Sequence, residues 1–258
     1  MKLIIRKSPQ EVAKSAADIL ASHIRPGAVI GLATGSTPEL TYQELIRRHL
    51  AGELSFSGTT AFLLDEYLGL AANHEQSYAA TIRRELTAQV DIADSDVHSL
   101  DGLSTDPVAT CAAYEQAIIA AGGVDIQLLG VGTNGHIGFN EPGSSLNSLT
   151  RAVLLHPQTV ADNARFFDSE AAVPREVLTQ GLGTIQRAKS ILLIATGFAK
   201  AEAVAALAEG PLAAICPASV LQLHNDVTVI VDEDAASRLV HSDYYRFIAE
   251  HADTKQHR

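Results

Sequence analysis

The sequence predicts an α/β fold, a doubly wound and mostly parallel sheet with helices on both faces (Rossmann-like), in a single domain of 258 residues. Three observations carry this expectation. Short runs rich in Val, Ile and Leu recur at residues 29–33, 60–64, 126–130, 191–196 and 227–231, each reading as a strand buried on both faces. Segments of helical period lie between them, and strands alternating with helices give a parallel sheet wound in both directions. No repeat or low-complexity linker interrupts the alternation, and 47% hydrophobic against 19% charged residues supplies one sizeable core.

In chain order, the N-terminal MKLIIRKSPQ is charged and too short in apolar residues for a signal peptide. No segment approaches the ~18 apolar residues of a membrane span, so a soluble, cytoplasmic protein is expected. Val12, Ala16, Ile19, Leu20 and Ile24 share one helical face, closed by Pro26-Gly27. The strand at 29–33 runs into Thr34-Gly35-Ser36-Thr37-Pro38, with Thr37 placed as a helix cap and Pro38 as the first helical residue. The strand at 60–64 runs into Asp65-Glu66-Tyr67. Tyr114, Ala117, Ile118 and Ala121 form a second helical face before Gly122-Gly123, and the strand at 126–130 opens GVGTNGHIGFNEPGSS. Residues 142–180 lose periodicity and gain Ser, Asn, Pro and Asp, which suggests an inserted mobile lid. The strand at 191–196 is followed by Gly197-Phe198-Ala199-Lys200, and the polar stretch 252–258 is expected to fray.

Ligands of such sheets sit beyond the carboxyl ends of the strands. Four of the five expected strand ends carry glycine-rich or polar chemistry, more than packing requires. The formal charge of −11, with no basic run longer than Arg47-Arg48 or Arg83-Arg84, argues against nucleic acid or an anionic membrane as partner. Cys111 and Cys216 lie far apart and form no C-x-x-C, so both read as small core residues.

The stretch GVGTNG matches the G-x-G-x-x-G of dinucleotide sites, but its context does not. A helix should open at Gly135, whereas His136-Ile137-Gly138-Phe139-Asn140-Glu141-Pro142-Gly143 breaks helices, and no acidic residue lies between Glu141 and Asp162 to hold a ribose. These glycines read better as allowing backbone to approach a small ligand. His136 and Glu141 match no zinc spacing. They fit either a buried histidine satisfied by a loop carboxylate or a general base, with Glu141 orienting the imidazole and Asn134 helping to hold it. Asp65 is either a helix cap or surface ion pair, or a desolvated carboxylate suited to taking a proton. Thr34–Thr37 is either an ordinary turn or an anion cradle at a helix N-terminus. Lys200, taken alone, reads as a solvated charge.

Taken together, ATGSTP, LLDEYLGL, GVGTNGHIGFNEPGSS, NARFFD and ATGFAKA resemble the glucosamine-6-phosphate deaminase family, in order and spacing from about residue 3 to residue 248. The resemblance implies conversion of glucosamine 6-phosphate to fructose 6-phosphate and ammonia, with no metal and no nucleotide cofactor. It implies that Asp65 moves a proton from C2 toward C1, and that His136, supported by Glu141 and Asn134, opens the sugar ring between O1 and O5. Thr34, Gly35, Ser36, Thr37, Arg165 and Lys200 would hold the phosphate. A homo-oligomer is compatible with the sequence, which does not specify one.

Two departures stand out. Asn134 replaces the aspartate of many members, removing a charge while leaving a hydrogen-bond partner for the imidazole. Arg151-Ala152-Val153-Leu154 replaces the Arg-x-Lys-Thr of allosteric members, so activation by an effector phosphate is not expected, and Arg151 reads as a surface residue. The competing readings are a 6-phosphogluconolactonase-like lactone hydrolase, which lacks the FNEP continuation, and a non-catalytic sugar-phosphate sensor, which would not need Asp65, His136 and Glu141 together.

Overall fold

The computed structural model describes residues 1–252; beyond Ala252, the tail expected to fray lies outside the described residues. The first half runs β1 (Lys2–Arg6), α1 (Pro9–His23), β2 (Val29–Leu32), α2 (Ser36–Leu50), β3 (Thr60–Leu63), β4 (Asp65–Tyr67), α3 (Tyr78–Glu85), β5 (Val97–His98), α4 (Pro107–Ala120) and β6 (Ile126–Leu129). The second half runs β7 (Arg151–Leu154), α5 (Pro157–Asn163), β8 (Glu176–Thr179), α6 (Leu182–Ile185), β9 (Ser190–Ala195), α7 (Ala201–Glu209), β10 (Val227–Asp232), α8 (Glu233–Ala236) and α9 (Ser242–Ala252).

The main sheet has seven strands in the order β1-β10-β9-β6-β2-β3-β5, and every pairing in it is parallel. Alternate residues of each strand point to opposite faces, and both faces are covered. Ile30, Leu32, Ala61, Leu63, Ile126 and Leu128 pack with α1, α2 and α3 on one side. Val29, Phe62, Leu129, Ile191 and Leu193 pack with α4, α6 and α7 on the other, where both cysteines are buried. Helix starts follow the local sequence: the Ser8, Ser77 and Asp106 side chains accept from Glu11, Ala80 and Ala109 N–H groups, and Pro9 and Pro107 begin α1 and α4.

All five expected strands are present. β1 and β5 were not anticipated, the first because charge flanks its short apolar run, the second because it has only two half-buried residues. The helix after β2 also begins earlier than expected. Gly35, with φ +122°, is its N-cap and Ser36 its first residue, so Thr37 and Pro38 lie inside the first turn. Proline is tolerated there because first-turn N–H groups have no intrahelical acceptor.

A second, antiparallel sheet, β4-β8-β7, was not foreseen. It takes in much of the 142–180 segment: β7 and β8 frame it, and α5 with two short 3₁₀ turns fills its middle. Val160, Val173 and Val177 bury against Tyr67 and Phe139 in a small core of their own. Arg151 is not a solvated surface residue. Its half-buried guanidinium donates to Asn140 Oδ1 at 2.8 Å and to Ser144 Oγ at 3.3 Å, bracing the loop after β6.

Glu115 joins α4 to this second layer. Its buried Oε1 accepts from Thr150 N at 2.9 Å and from the Thr150 and Thr184 hydroxyls at 2.5 Å, while Arg187 Nη1 reaches Oε2 at 3.2 Å. Truncation would strand these donors. Glu115→Ala is expected to lower stability by about 3 kcal/mol, read as a fall in the urea midpoint at unchanged m-value; an unchanged midpoint would contradict the role assigned to it.

Candidate active site

The winding of the main sheet reverses between β2 and β6. From β2 the chain proceeds outward to β3 and β5, and from β6 it proceeds the other way to β9 and β10. At such a switch point the loops after the two central strands diverge and leave a crevice. A cavity of about 410 Å³ occupies it, lined by residues 33–39 after β2 and 130–133 after β6.

The expected phosphate cradle lies on one side. Thr34, Gly35, Ser36 and Thr37 line the cavity where the free N–H groups of α2 begin, and Gly35 takes a φ of +122° that a side chain would oppose. Arg165 reaches the same cavity from the segment beyond α5, and Lys200 from the turn after β9. Three segments distant in sequence thus bring these groups together in a chain of net charge −11.

Asp65 also lines the cavity, although the residue is only 7% exposed. Burial, reinforced by the neighbouring Glu66 charge, pushes it up to about 8. Glu66 points away and is held by three backbone N–H groups, those of Tyr67, Tyr78 and Ala79, each at 2.9 Å. Burial raises the Glu66 carboxyl more than those bonds lower it.

His136 faces the cavity, and Glu141 stands behind it with Oε2 3.5 Å from Nδ1. Gly132 is required here: a Cβ on it would lie 2.2 Å from Cε1 of the ring. Asn134 does not hold the imidazole as expected. Its Nδ2 donates to Glu141 Oε2 at 2.7 Å and its Oδ1 accepts the His136 backbone N–H at 3.1 Å, so it fixes the carboxylate and the loop. Burial alone would raise the Glu141 carboxyl, but the facing His136 imidazole and the bonds from Thr159 and Asn134 outweigh it and bring it down to about 2. Neither Asn134 nor Glu141 is among the cavity-lining residues; both act on the group that is.

The sequence reading missed Thr159, whose hydroxyl donates to Glu141 Oε1 at 2.5 Å, and Tyr67, Tyr78 and Asn163, which line the wall between Asp65 and Arg165. Two of them lie inside the quoted motifs without a role assigned there, Tyr67 in LLDEYLGL and Asn163 in NARFFD, and Asn163 Nδ2 donates to Tyr67 Oη at 2.8 Å. The arrangement sets a helix N-terminus and two cations beside two separate groups chemically able to carry protons, a buried carboxyl and a carboxylate-backed imidazole.

The model of the glucosamine-6-phosphate isomerase/6-phosphogluconolactonase family matches residues 2–230. A glucosamine-6-phosphate deaminase of Corynebacterium aurimucosum is 64% identical over 247 residues, 96% of this chain and 97% of the relative. One of Rhodococcus jostii is 55% identical over 257 residues, 99% of each. Among solved structures, a monomeric glucosamine-6-phosphate deaminase superposes with a TM-score of 0.90 at 46% identity, covering 92% of this chain and 100% of the other. A 6-phosphogluconolactonase from Trypanosoma cruzi superposes at 0.74 with 23% identity, covering 93% and 97%, a likeness of fold alone.

The buried Asp65 carboxyl should be visible in stability. Its pKa in the folded chain, about 8, lies above the ordinary 3.8, so between these values the folded state binds the extra proton and stability falls as pH rises. Asp65→Asn removes that dependence. The variant is expected to gain on the parent steadily from about pH 4 to about pH 8 and to gain nothing further above it; denaturant titrations across this range would refute the burial argument if the two curves stayed parallel.

Proposed function

The chain belongs to the glucosamine-6-phosphate isomerase/6-phosphogluconolactonase family, and we propose that Asp65 and the His136–Glu141 pair are the groups with which it deaminates glucosamine 6-phosphate. It is an enzyme of amino-sugar breakdown, converting this substrate and water to fructose 6-phosphate and ammonia. The observation that carries the residue assignment is that a buried carboxyl with a raised pKa and a carboxylate-backed imidazole face one cavity, which a helix N-terminus and the cations Arg165 and Lys200 also line. Lactone hydrolysis needs only one base, whereas this reaction needs one to open the ring and another to move a proton between carbons.

The phosphate seats against Thr34–Thr37 at the N-terminus of α2, with Arg165 and Lys200 adding charge-assisted bonds. That contact places the far end of the sugar by the proton carriers. His136 takes the O1 proton and delivers one to O5, and Glu141, ionised throughout, stabilises the imidazolium formed between the two transfers. In the open chain Asp65 takes the proton from C2 and returns it at C1, turning the aldehyde and amine into an enolamine and then a C2 imine. Water adds to that imine, the carbinolamine expels ammonia, and the ketose remains.

Burial lets Asp65 hold its proton up to about pH 8. A cationic amine at C2 beside it favours the carboxylate, so the substrate generates the base that acts on it. A cytoplasmic setting fits a doubly charged sugar phosphate that a bilayer excludes. Release of ammonia from glucosamine 6-phosphate, run beside acid release from 6-phosphogluconolactone, tests the reading directly.

Asp65→Asn is expected to lower kcat about 100- to 10,000-fold while leaving binding of an unreactive sugar phosphate within about threefold. In deuterated solvent the variant should put no deuterium on the transferred carbon; continued incorporation would mean that another base does the work. Lys200→Ala should raise KM about tenfold or more, with little change in kcat, because a bond to a dianion is lost. Glucosamine without its phosphate should be turned over equally by both forms, and an equal deficit on the two substrates would contradict the assignment.

A further inference from the structure

Glu141 is held from two directions. On its own loop, Asn134 donates to Oε2, the oxygen that faces Nδ1 of His136. Its other oxygen is held from α5, where the Thr159 hydroxyl donates at 2.5 Å, the short separation expected of a hydroxyl on a carboxylate. The terminal torsion of a glutamate is broad, so a single anchor leaves the carboxylate free to turn about it. Two anchors on opposite oxygens fix its plane, and with it the direction of the lone pairs aimed at the imidazole.

Thr159 can hold its end only while α5 is seated. That seating depends on Val160, 1% exposed, buried with Tyr67 and Phe139, and on Asn163 donating to Tyr67 Oη at 2.8 Å. The same helix leads directly into the turn that carries Arg165 to the phosphate cradle. We propose that Thr159 is a positioning residue that ties the seating of the Arg165-bearing segment to the orientation of Glu141, and through Glu141 to the His136 imidazole. The inference rests on the roles assigned under the proposed function. Phosphate bound by Arg165 then favours the state in which the ring-opening pair is aligned, so binding energy at one end of the sugar assembles the chemistry at the other.

The test compares steady-state kinetics of Thr159→Val, Thr159→Ser, Glu141→Ala and the Thr159→Val/Glu141→Ala double variant on glucosamine 6-phosphate. Thr159→Val keeps the volume and removes the donor, and is expected to lower kcat about tenfold or more with less than about a threefold change in KM. Thr159→Ser keeps the donor and should stay within about twofold of the parent. With Glu141 already truncated, adding Thr159→Val should cost nothing further, because the effect passes through that carboxylate. The proposal is overturned by a rise in KM alone, by a serine variant as slow as the valine one, or by costs that multiply in the double variant. A parent enzyme that releases no ammonia would bring down the underlying reading and the inference with it, whereas an active parent with uncoupled variants sinks the inference alone.

Discussion

The site depends on one change of sheet. At Leu64 the chain leaves β3 of the parallel sheet and enters β4 of the antiparallel one without an intervening loop. Leu64 N–H still bonds to Leu32 O at 3.0 Å, while its carbonyl already accepts from Gln180 N–H at 2.9 Å. Asp65, the next residue, pairs with Thr179 of β8 and is closed in by both layers. A carboxyl placed there cannot keep its water, and the loss of hydration makes it a strong base once ionised. The same junction fixes the second of the proposed proton carriers. Thr179 Oγ1 accepts the Phe139 N–H at 3.1 Å, tying the loop that holds His136 and Glu141 to the residue opposite Asp65.

How much of this was legible follows from where each interaction is encoded. Strands buried on both faces need unbroken apolar runs, so the five central strands could be read from composition alone. The second sheet could not. β4 is Asp-Glu-Tyr, whose charges read as loop, and β7 and β8 are four-residue strands that exist because residue 65 meets residue 179. The site divides in the same way. Asp65, His136, Glu141, the Thr34–Thr37 turn, Arg165 and Lys200 lie in short motifs that together carry the family resemblance, although the turn and Lys200 taken singly fit ordinary structural roles. Thr159 and the three amides that hold Glu66 carry no such mark, because a threonine or an N–H becomes functional only through what folding sets beside it.

An acidic chain that binds an anion must keep its charges sorted. The proposed cradle combines α2's N-terminus with two cations drawn from separate elements, while Glu66 and Glu141, beside the proposed proton carriers, are each held by other donors. Glu66 is turned into the first turn of α3, where N–H groups hold it and its charge still reaches Asp65. Glu141 is shielded from the cavity by His136. In the proposed function, the acids near the sugar's reacting carbons differ widely in their affinity for protons, Asp65 holding its proton where Glu141 is ionised.

That difference explains what an amide can do at position 134. Asn134 uses both ends of its side chain, receiving the His136 N–H on one and giving to Glu141 on the other at 2.7 Å. An aspartate in the same place could receive the N–H, but its second oxygen would meet Glu141 with like charge, and one of the two carboxyls would have to keep a proton. The amide removes that conflict. It leaves Glu141 ionised down to about pH 2, so the carboxylate behind the imidazole is a constant of the site and not one of its variables. In the proposed function, protons entering and leaving during ring opening are then carried by His136 alone, against a fixed negative charge whose position, rather than whose protonation, decides how well the imidazolium is held.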